Sequence, residues 1–456
     1  MKSRSQLHLL CVLCALCVLC VGRLRASDEV PAPPQNHDVI LFGGTVHPMT
    51  GEPVQADVHF SKGKIVAIGK DLTGPSDAQR IDVTGKHVYP GFIDAATDIG
   101  LIEIGSIRAT RDQSEVGQVN PNARAEVAVN PDSELIPVAR ANGVLLAVTG
   151  PEGGLLSGTS ALLQLDGWTW EDMTVKAPVA MELVWPNMAS VRTWWQRESE
   201  REQLRQRDER LRQVKQVFDD ARAYMKSKQH ASAANGTNGA AHGAVLASHQ
   251  NFDARWEAMI PLLQGKIPLA VGANEVQQIQ SAVAFAQQEK VKLVIVGGAD
   301  APLCADLLKK YDVPVIVTGT QRLPQRRWSG YDDAYALPAR LKELGIRYCI
   351  AGTRSASYAR NLPYQAGMAA AFGLDKDEAL KSITLYPAQV LGVADRVGSL
   401  ESGKDATLIV TTGDPLETPT QVEHAYIGGR KIELTSRHTR LWDKYKEKYR
   451  QQGIQN

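Results

Sequence analysis

Residues 89–101 read Tyr89-Pro90-Gly91-Phe92-Ile93-Asp94-Ala95-Ala96-Thr97-Asp98-Ile99-Gly100-Leu101, and they restrict the fold more than any other stretch. Their apolar half has the length and make-up of a buried strand. Pro90 and Gly91 constrain the backbone on the way in, and Asp94, Thr97 and Asp98 form a polar tip. Strand-like runs alternate with helix-like runs downstream, as a parallel α/β arrangement requires. The strands are expected at 88–94, 145–148, 179–184, 267–271, 293–296, 313–317 and 348–351, with 161–165 as a candidate eighth. Helices are expected at 275–288, 301–310, 337–344 and 377–383.

The two ends of the chain have a different texture. Short β-prone runs divided by glycine turns occupy 39–42, 45–47, 56–60 and 65–68. Similar runs return within 398–410, 424–427 and 431–434. Neither group alone buries much surface, so each is expected to need the other.

Three motifs, taken together, resemble the amidohydrolase superfamily and its imidazolonepropionase-like, metal-dependent members. Pro90-Gly91-Phe92-Ile93-Asp94 is similar to the first barrel strand of that family. Thr384-Leu385-Tyr386-Pro387-Ala388-Gln389-Val390-Leu391-Gly392 is similar to its Thr-x-x-Pro-Ala-x-x-Leu-Gly run. Gly398-Ser399-Leu400-Glu401-Ser402-Gly403-Lys404-Asp405-Ala406-Thr407-Leu408 is similar to its C-terminal signature. The resemblance spans about 38–434 and implies an α/β fold, a TIM-like (β/α)8 barrel plus a small β-sandwich built from both chain ends. On that reading the sandwich takes 38–86 and 395–436, and the barrel takes 87–394. Residues 190–262 would be a helical, low-complexity insertion, and 437–456 a helical tail. The runner-up, a doubly wound open sheet, leaves the terminal strands unexplained.

Composition narrows the setting. A net charge of +1 and 22% charged residues point away from nucleic acid and strongly acidic partners. Lys2 and Arg4, an apolar run over 7–21 and Ala26 have the layout of a signal peptide over 1–26, followed by a flexible lead-in over 27–37. The run is too short to span a membrane, so an exported chain, periplasmic or extracellular, with no span in its mature part is expected. Four of the six cysteines fall inside this leader, and the remaining Cys304 and Cys349 are expected as buried thiols. The Arg/Glu/Gln-rich segment 196–229 carries Leu204, Leu211, Val214, Phe218, Ala221 and Met225 at helical spacing. It is read as a helix packed by one stripe, with a coiled-coil homo-oligomer as the alternative. With the Ala/Asn/Gly-rich stretch 231–241, read as a loop, it makes a candidate lid beside the barrel mouth.

The chemistry is harder to place. The resemblance implies a divalent metal held by histidines at the strand ends, which lowers the pKa of a bound water from about 15.7 to about 7. Where the first two histidines belong, this chain has Ala96 and Asp98. Gly272-Ala273-Asn274, Gly297-Gly298-Ala299-Asp300 and Ala351-Gly352-Thr353-Arg354 stand at the later positions. No metal ligand is therefore assigned. Asp98, Asp94 and Asp300 are the candidate catalytic residues, and with Glu103 and Asn274 they could offer an oxygen-only site suited to Ca²⁺ or Mg²⁺. Asn274, Thr353, Arg360 and Asn361 are the candidate substrate-binding residues, Arg360 as a clamp for a carboxylate or phosphate or as a structural ion pair. His242 and His249 flank the insertion. The Gly-rich 150–160 could cradle an anion but lacks a following Gly-Lys-Ser/Thr, and Trp168 and Trp170 are read as anchoring core or a stacking surface. Two functions stay open: an exported hydrolase of non-peptide C–N bonds in a cyclic amide or related small molecule, with an atypical or lost metal site, or a metal-free, inactive barrel that binds a small molecule or a partner.

Overall fold

The chain changes sheets at Gly91. Strand β5 (His87–Pro90) belongs to a sheet made by the chain ends, and β6 (Phe92–Thr97) opens the barrel. Gly91 donates its N–H to Thr407 O on one side at 3.1 Å, and Phe92 donates to Gly143 O on the other at 2.9 Å. The computed structural model describes residues 29–191, 196–237 (backbone alone from 231) and 252–454. The leader expected over 1–26 and both His242 and His249 lie outside the described residues.

The end sheet collects β1 (Val39–Val46), β2 (Val54–Ser61), β3 (Lys64–Gly69), β4 (Gln79–Asp82) and β5 from the front of the chain. From the back come β14 (Leu408–Thr411), β15 (Val422–Ile427) and β16 (Arg430–Ile432). The runs 39–42 and 45–47 form one bulged strand, β1, whose pairing with β2 shifts between Leu41 and Gly44. Hydrogen bonding runs β16-β15-β14-β5-β1-β2-β3, with β4 on β1. The two chain ends thus meet where Val88 of β5 faces Val410 of β14. Phe60 on β2 and Tyr426 on β15 would stand roughly 19 Å apart in a flat sheet, yet their ring centroids are 4.9 Å apart. The sheet has therefore curled over its own apolar face, enclosing Val58, Phe60, Leu408, Val410 and Tyr426. Ile65 N–H to Lys404 O at 2.9 Å and Ala406 N–H to Gly63 O at 2.8 Å fasten the curl.

The barrel sheet runs in order from β6 through β7 (Val144–Thr149), β8 (Leu156–Gln164), β9 (Thr174–Val184), β10 (Leu269–Ala273), β11 (Leu293–Gly297) and β12 (Val315–Thr318) to β13 (Tyr348–Ala351). Seven of these strands are parallel, and β8 runs antiparallel to both its neighbours. The candidate eighth strand at 161–165 lies in β8, so the barrel departs from eight parallel β/α units. The cause is connection length: six residues, 150–155, join β7 to β8, whereas a parallel crossover takes about a dozen or more. Helices Val276–Glu289, Ala305–Lys310 and Asp333–Glu343 between later strands, and Lys376–Lys381 after β13, sit close to the expected positions. Cys304 and Cys349 are both buried and unpaired.

Helix Glu200–Thr237 is the crossover from β9 to β10, with Ala254–Leu263 after it. It continues through 231–237, where a loop was expected. Its stripe of Val214, Val217, Phe218 and Ala221 is buried, with Phe218 edge-on to Phe285 at 5.0 Å between centroids. Gln203 bonds Val191 near the strand ends, and Arg222 reaches Glu289 at 3.1 Å beside the strand starts. The helix therefore descends the barrel wall. At about 1.5 Å per residue, the turns after Arg222 carry it roughly 22 Å further away from the mouth, which removes it as a lid over the site.

A Cβ added at Gly91 would come within 2.8 Å of Leu145 Cδ1 and 2.9 Å of its Cβ. Gly91→Ala is expected to destabilise the protein by about 1–3 kcal/mol, the usual cost of overpacking. Urea unfolding with an unchanged midpoint would show that the sheet transfer tolerates a side chain.

Candidate functional site

The C-terminal strand ends form the mouth of the barrel, where β/α barrels place their chemistry. At the seam between β13 and β6 the backbone makes a single bridge, Thr97 with Arg354. Two carboxylates complete the closure. Asp94 Oδ1 accepts from Gly352 N–H at 3.0 Å and Ala96 N–H at 3.3 Å. Asp98 Oδ1 accepts from Ala356 N–H at 2.5 Å, and Asp98 N–H donates to Arg354 O at 2.9 Å. These contacts hold Arg354 in left-handed backbone, φ +67°, a conformation that costs a non-glycine residue about 1–3 kcal/mol.

Burial governs the charge of this cluster. Asp94 is fully buried, and desolvation pushes its carboxyl up to about 7 against the two N–H donors that favour ionisation; nearby Asp98 adds to the rise. Its Oδ2 is buried without a hydrogen-bond partner. Asp98 is raised as well, by burial first, with the Ala356 N–H opposing. Glu182, near the end of β9, is raised by burial, while Arg354 and the Ser160 hydroxyl pull the other way. The Arg354 guanidinium sits between two acids: Nε lies 3.2 Å from Glu152 Oε1 and Nη2 lies 3.8 Å from Glu182 Oε2.

Beneath that ion pair the barrel is nearly full. Ala96, Val148, Ala180, Val296 and Ile316 surround an interior cavity of about 30 Å³. A single water needs about 10–15 Å³ in such terms, and small-molecule pockets hold roughly 300–1,000 Å³. Arg354 and Glu182 border this cavity. The mouth as it stands is plugged by a salt bridge over an apolar core.

The other candidate residues are dispersed. Asp300 grips Arg326 with both oxygens, at 2.9 and 2.7 Å, and accepts from Val276 N–H. Asn274 lies against Gly297, where a Cβ would come 2.5 Å from its Oδ1. Thr353 is exposed beside Arg354, and its methyl faces Gly319. Arg360 bonds His438 of the C-terminal helix Arg437–Gln451 at 3.1 Å, so its guanidinium is engaged by the tail. Asn361 caps helix Leu362–Ala371 without a side-chain hydrogen bond. Glu103 Oε1 accepts from Glu134 N–H at 3.1 Å. Only Asp94 and Asp98 meet at the seam.

These residues do not fit the family's transition metal. Such ions seek imidazole or thiolate donors, and the strand ends offer Ala96, Asp98, Asn274 and Arg354 instead. Among the described residues no three His, Cys, Asp or Glu side chains gather as a metal group. The carboxylates nearest the mouth already serve backbone N–H groups or the Arg354 cation.

The fold matches the crystal structure of an amidohydrolase from Thermotoga maritima, with a TM-score of 0.74 and 26% identity over 87% of this chain and 99% of that one. Residues 282–431 match the amidohydrolase family model. The chain belongs to the amidohydrolase superfamily. Amidohydrolase tasK of Hapsidospora irregularis is 21% identical over 404 residues, 82% of this chain and 39% of that protein. An imidazolonepropionase of Erwinia tasmaniensis is 42% identical over 59 residues, 13% of this chain and 14% of that one. The chain thus spans well under half the length of the curated relatives it matches. Among its described residues, no helix is long and apolar enough to cross a membrane.

Glu182 and the pairing role of Arg354 escape sequence reasoning. One signal was available: Glu182 is the sole charged residue in the apolar run 179–184, and a charge inside a barrel strand needs a partner. For Asp94 the sign of a pH effect follows directly. The unfolded chain releases this proton near 3.8 and the folded chain near 7. Between those values the folded form holds more protons, so stability falls as pH rises. Asp94→Asn keeps an acceptor for Gly352 and Ala96 and removes the titration. Its stability relative to the parent is expected to rise from pH 4 to pH 8, with a ceiling of about 4 kcal/mol at about 1.4 kcal/mol per unit. A difference that does not change with pH in urea titrations would refute the assignment.

Proposed function

We propose that this amidohydrolase works without a resident metal, as a barrel descended from hydrolases of non-peptide C–N bonds that now binds a small molecule or supports a partner. The observation that carries this reading is the Arg354 guanidinium paired with Glu152 and Glu182 over a 30 Å³ interior. A guanidinium places a fixed positive charge at the mouth, but it offers no open coordination position and does not bring a bound water's pKa to about 7. The absence of histidine from each of the family's ligand positions supports the same conclusion.

A second reading keeps hydrolysis of a cyclic amide or related C–N bond, with an atypical site. It is favoured by the hydrolases among the relatives and by Asp94, whose near-neutral carboxyl suits a general acid or base. On that reading Arg354 would stabilise an oxyanion, and Asp98 or Asp300 would assist. Substrate would require the ion pair to open.

Metal content and turnover separate the two. Protein purified without chelators is expected to hold no stoichiometric zinc, iron or manganese and to leave hydantoins, imidazolones and N-acyl amino acids intact. Stoichiometric metal together with chelator-sensitive hydrolysis would overturn the metal-free reading. Arg354→Met should leave Glu182 without its cation and cost about 3 kcal/mol or more, without creating hydrolysis. Metal-independent turnover in the parent that Arg354→Met abolishes, with the protein still folded, would instead favour the second reading.

Export belongs to this proposal too, on the strength of the residues 1–26 leader, and a homo-oligomer is compatible with it. Fractionation of cells expressing the full chain is expected to recover a shortened form outside the cytoplasm. Full-length protein confined to the cytoplasm would remove export from the proposal.

A further inference from the structure

A wide concavity lies at the opposite end of the barrel, among the strand starts. It holds about 620 Å³ and is bordered by Lys176, Lys266, Lys290, Lys292 and Arg347, with Asp312 as the only carboxylate. Asp312 is already bound to Arg347 at 2.7 Å. Lys176 directs its ammonium to the carbonyls of Leu391 and Gly392, at 2.7 and 3.4 Å. None of Lys266, Lys290 and Lys292 makes an ion pair among the described residues. For a chain of net charge +1, this is a local excess of positive charge, with three of the five cations lacking a carboxylate or carbonyl partner among the described residues. Like charges gathered in a hollow repel one another unless an anion is present.

The backbone supplies a second observation. Four successive helix-to-strand turns at this end each contain one left-handed residue: Gly265 (φ +69°), Lys290 (φ +54°), Asp312 (φ +51°) and Gly345 (φ +69°). Glycine adopts this conformation freely and Asp tolerates it, but in a lysine it is strained. Lys290 is the C-cap of helix Val276–Glu289, a place where glycine is usual. The chain keeps a strained lysine at the rim of a basin where cations already crowd.

We propose that this basin is a binding site for a small molecule carrying two or more phosphate groups. Lysine ammoniums are point charges suited to phosphate oxygens. Several of them around one hollow call for several negative charges, which a single phosphate or carboxylate does not provide. The volume falls within the roughly 300–1,000 Å³ of small-molecule sites, and Tyr311, Val291 and Leu293 in the lining leave apolar surface for an organic body. Val179, Val294 and Leu391 border both this basin and the small interior cavity. Occupancy here would therefore press on the barrel core from the side away from the plugged mouth. The proposal is independent of whether the mouth is catalytic.

Calorimetric titration of the full protein with pyrophosphate, ADP and orthophosphate tests it. Saturable binding of pyrophosphate or ADP is expected, with orthophosphate at least about tenfold weaker. Tighter binding of ADP than pyrophosphate would identify an organic ligand, and the reverse an inorganic one. Lys290→Gln with Lys292→Gln should weaken binding by about tenfold or more, since each removes a charge-assisted contact. Lys444→Gln with Lys446→Gln, on the C-terminal helix, should leave it unchanged. Lys290→Gly is the diagnostic variant, expected to weaken binding while not lowering the unfolding midpoint. The proposal fails if neither pyrophosphate nor ADP saturates the protein, if the basin and tail variants behave alike, or if Lys290→Gly loses stability and keeps affinity.

Discussion

Strand residues 87–98 belong to two structures at once, and both depend on how this segment satisfies its backbone. At its start, β5 lies between β1 and β14, so the two ends of the chain are joined through it. After Gly91 it becomes the first barrel strand. At its finish, where the first and last barrel strands share one bridge, the carboxylates of Asp94 and Asp98 accept N–H groups from the loop after β13. Buried backbone donors must be paired, and here side chains do for the seam what a ladder does elsewhere in the sheet.

That duty changes the meaning of the acids at the mouth. A carboxylate that closes a barrel is held rigidly and is poorly placed to bind an ion or a substrate as well. The same loop that receives these hydrogen bonds sets Arg354 in its left-handed conformation and sends the guanidinium toward Glu152 and Glu182. The seam and the plug are therefore one construction. Its electrostatics are self-contained, since the Arg354 cation is paired with Glu152 and Glu182 of the same chain.

The two ends of the barrel are physically opposite. The mouth pairs its charges, and the strand-start end leaves three lysines without a carboxylate or carbonyl partner among the described residues, beside a wide basin. The long β9–β10 crossover helix reinforces the asymmetry. It runs down the wall, buries Phe218 against Phe285, and continues past the strand starts rather than over the mouth.

Residues 89–101, the Gly-rich signature at 398–410 and the alternation between them were enough to specify strand positions, the meeting of the chain ends and the family. These features are local: β-branched runs, turn glycines and helical periodicity act over a few residues. That stretches 96–98, 272–274, 297–300 and 351–354 hold no histidine was equally legible, as a plain fact of the sequence. Strand direction at β8, the descent of the crossover helix, the Arg354 pairing and the lysine basin were not. Each depends on which residues far apart in the chain become neighbours. A six-residue connection reverses β8 through its reach, whereas Glu182 and Arg354, separated by more than half of the barrel's sequence, become partners only when the barrel closes.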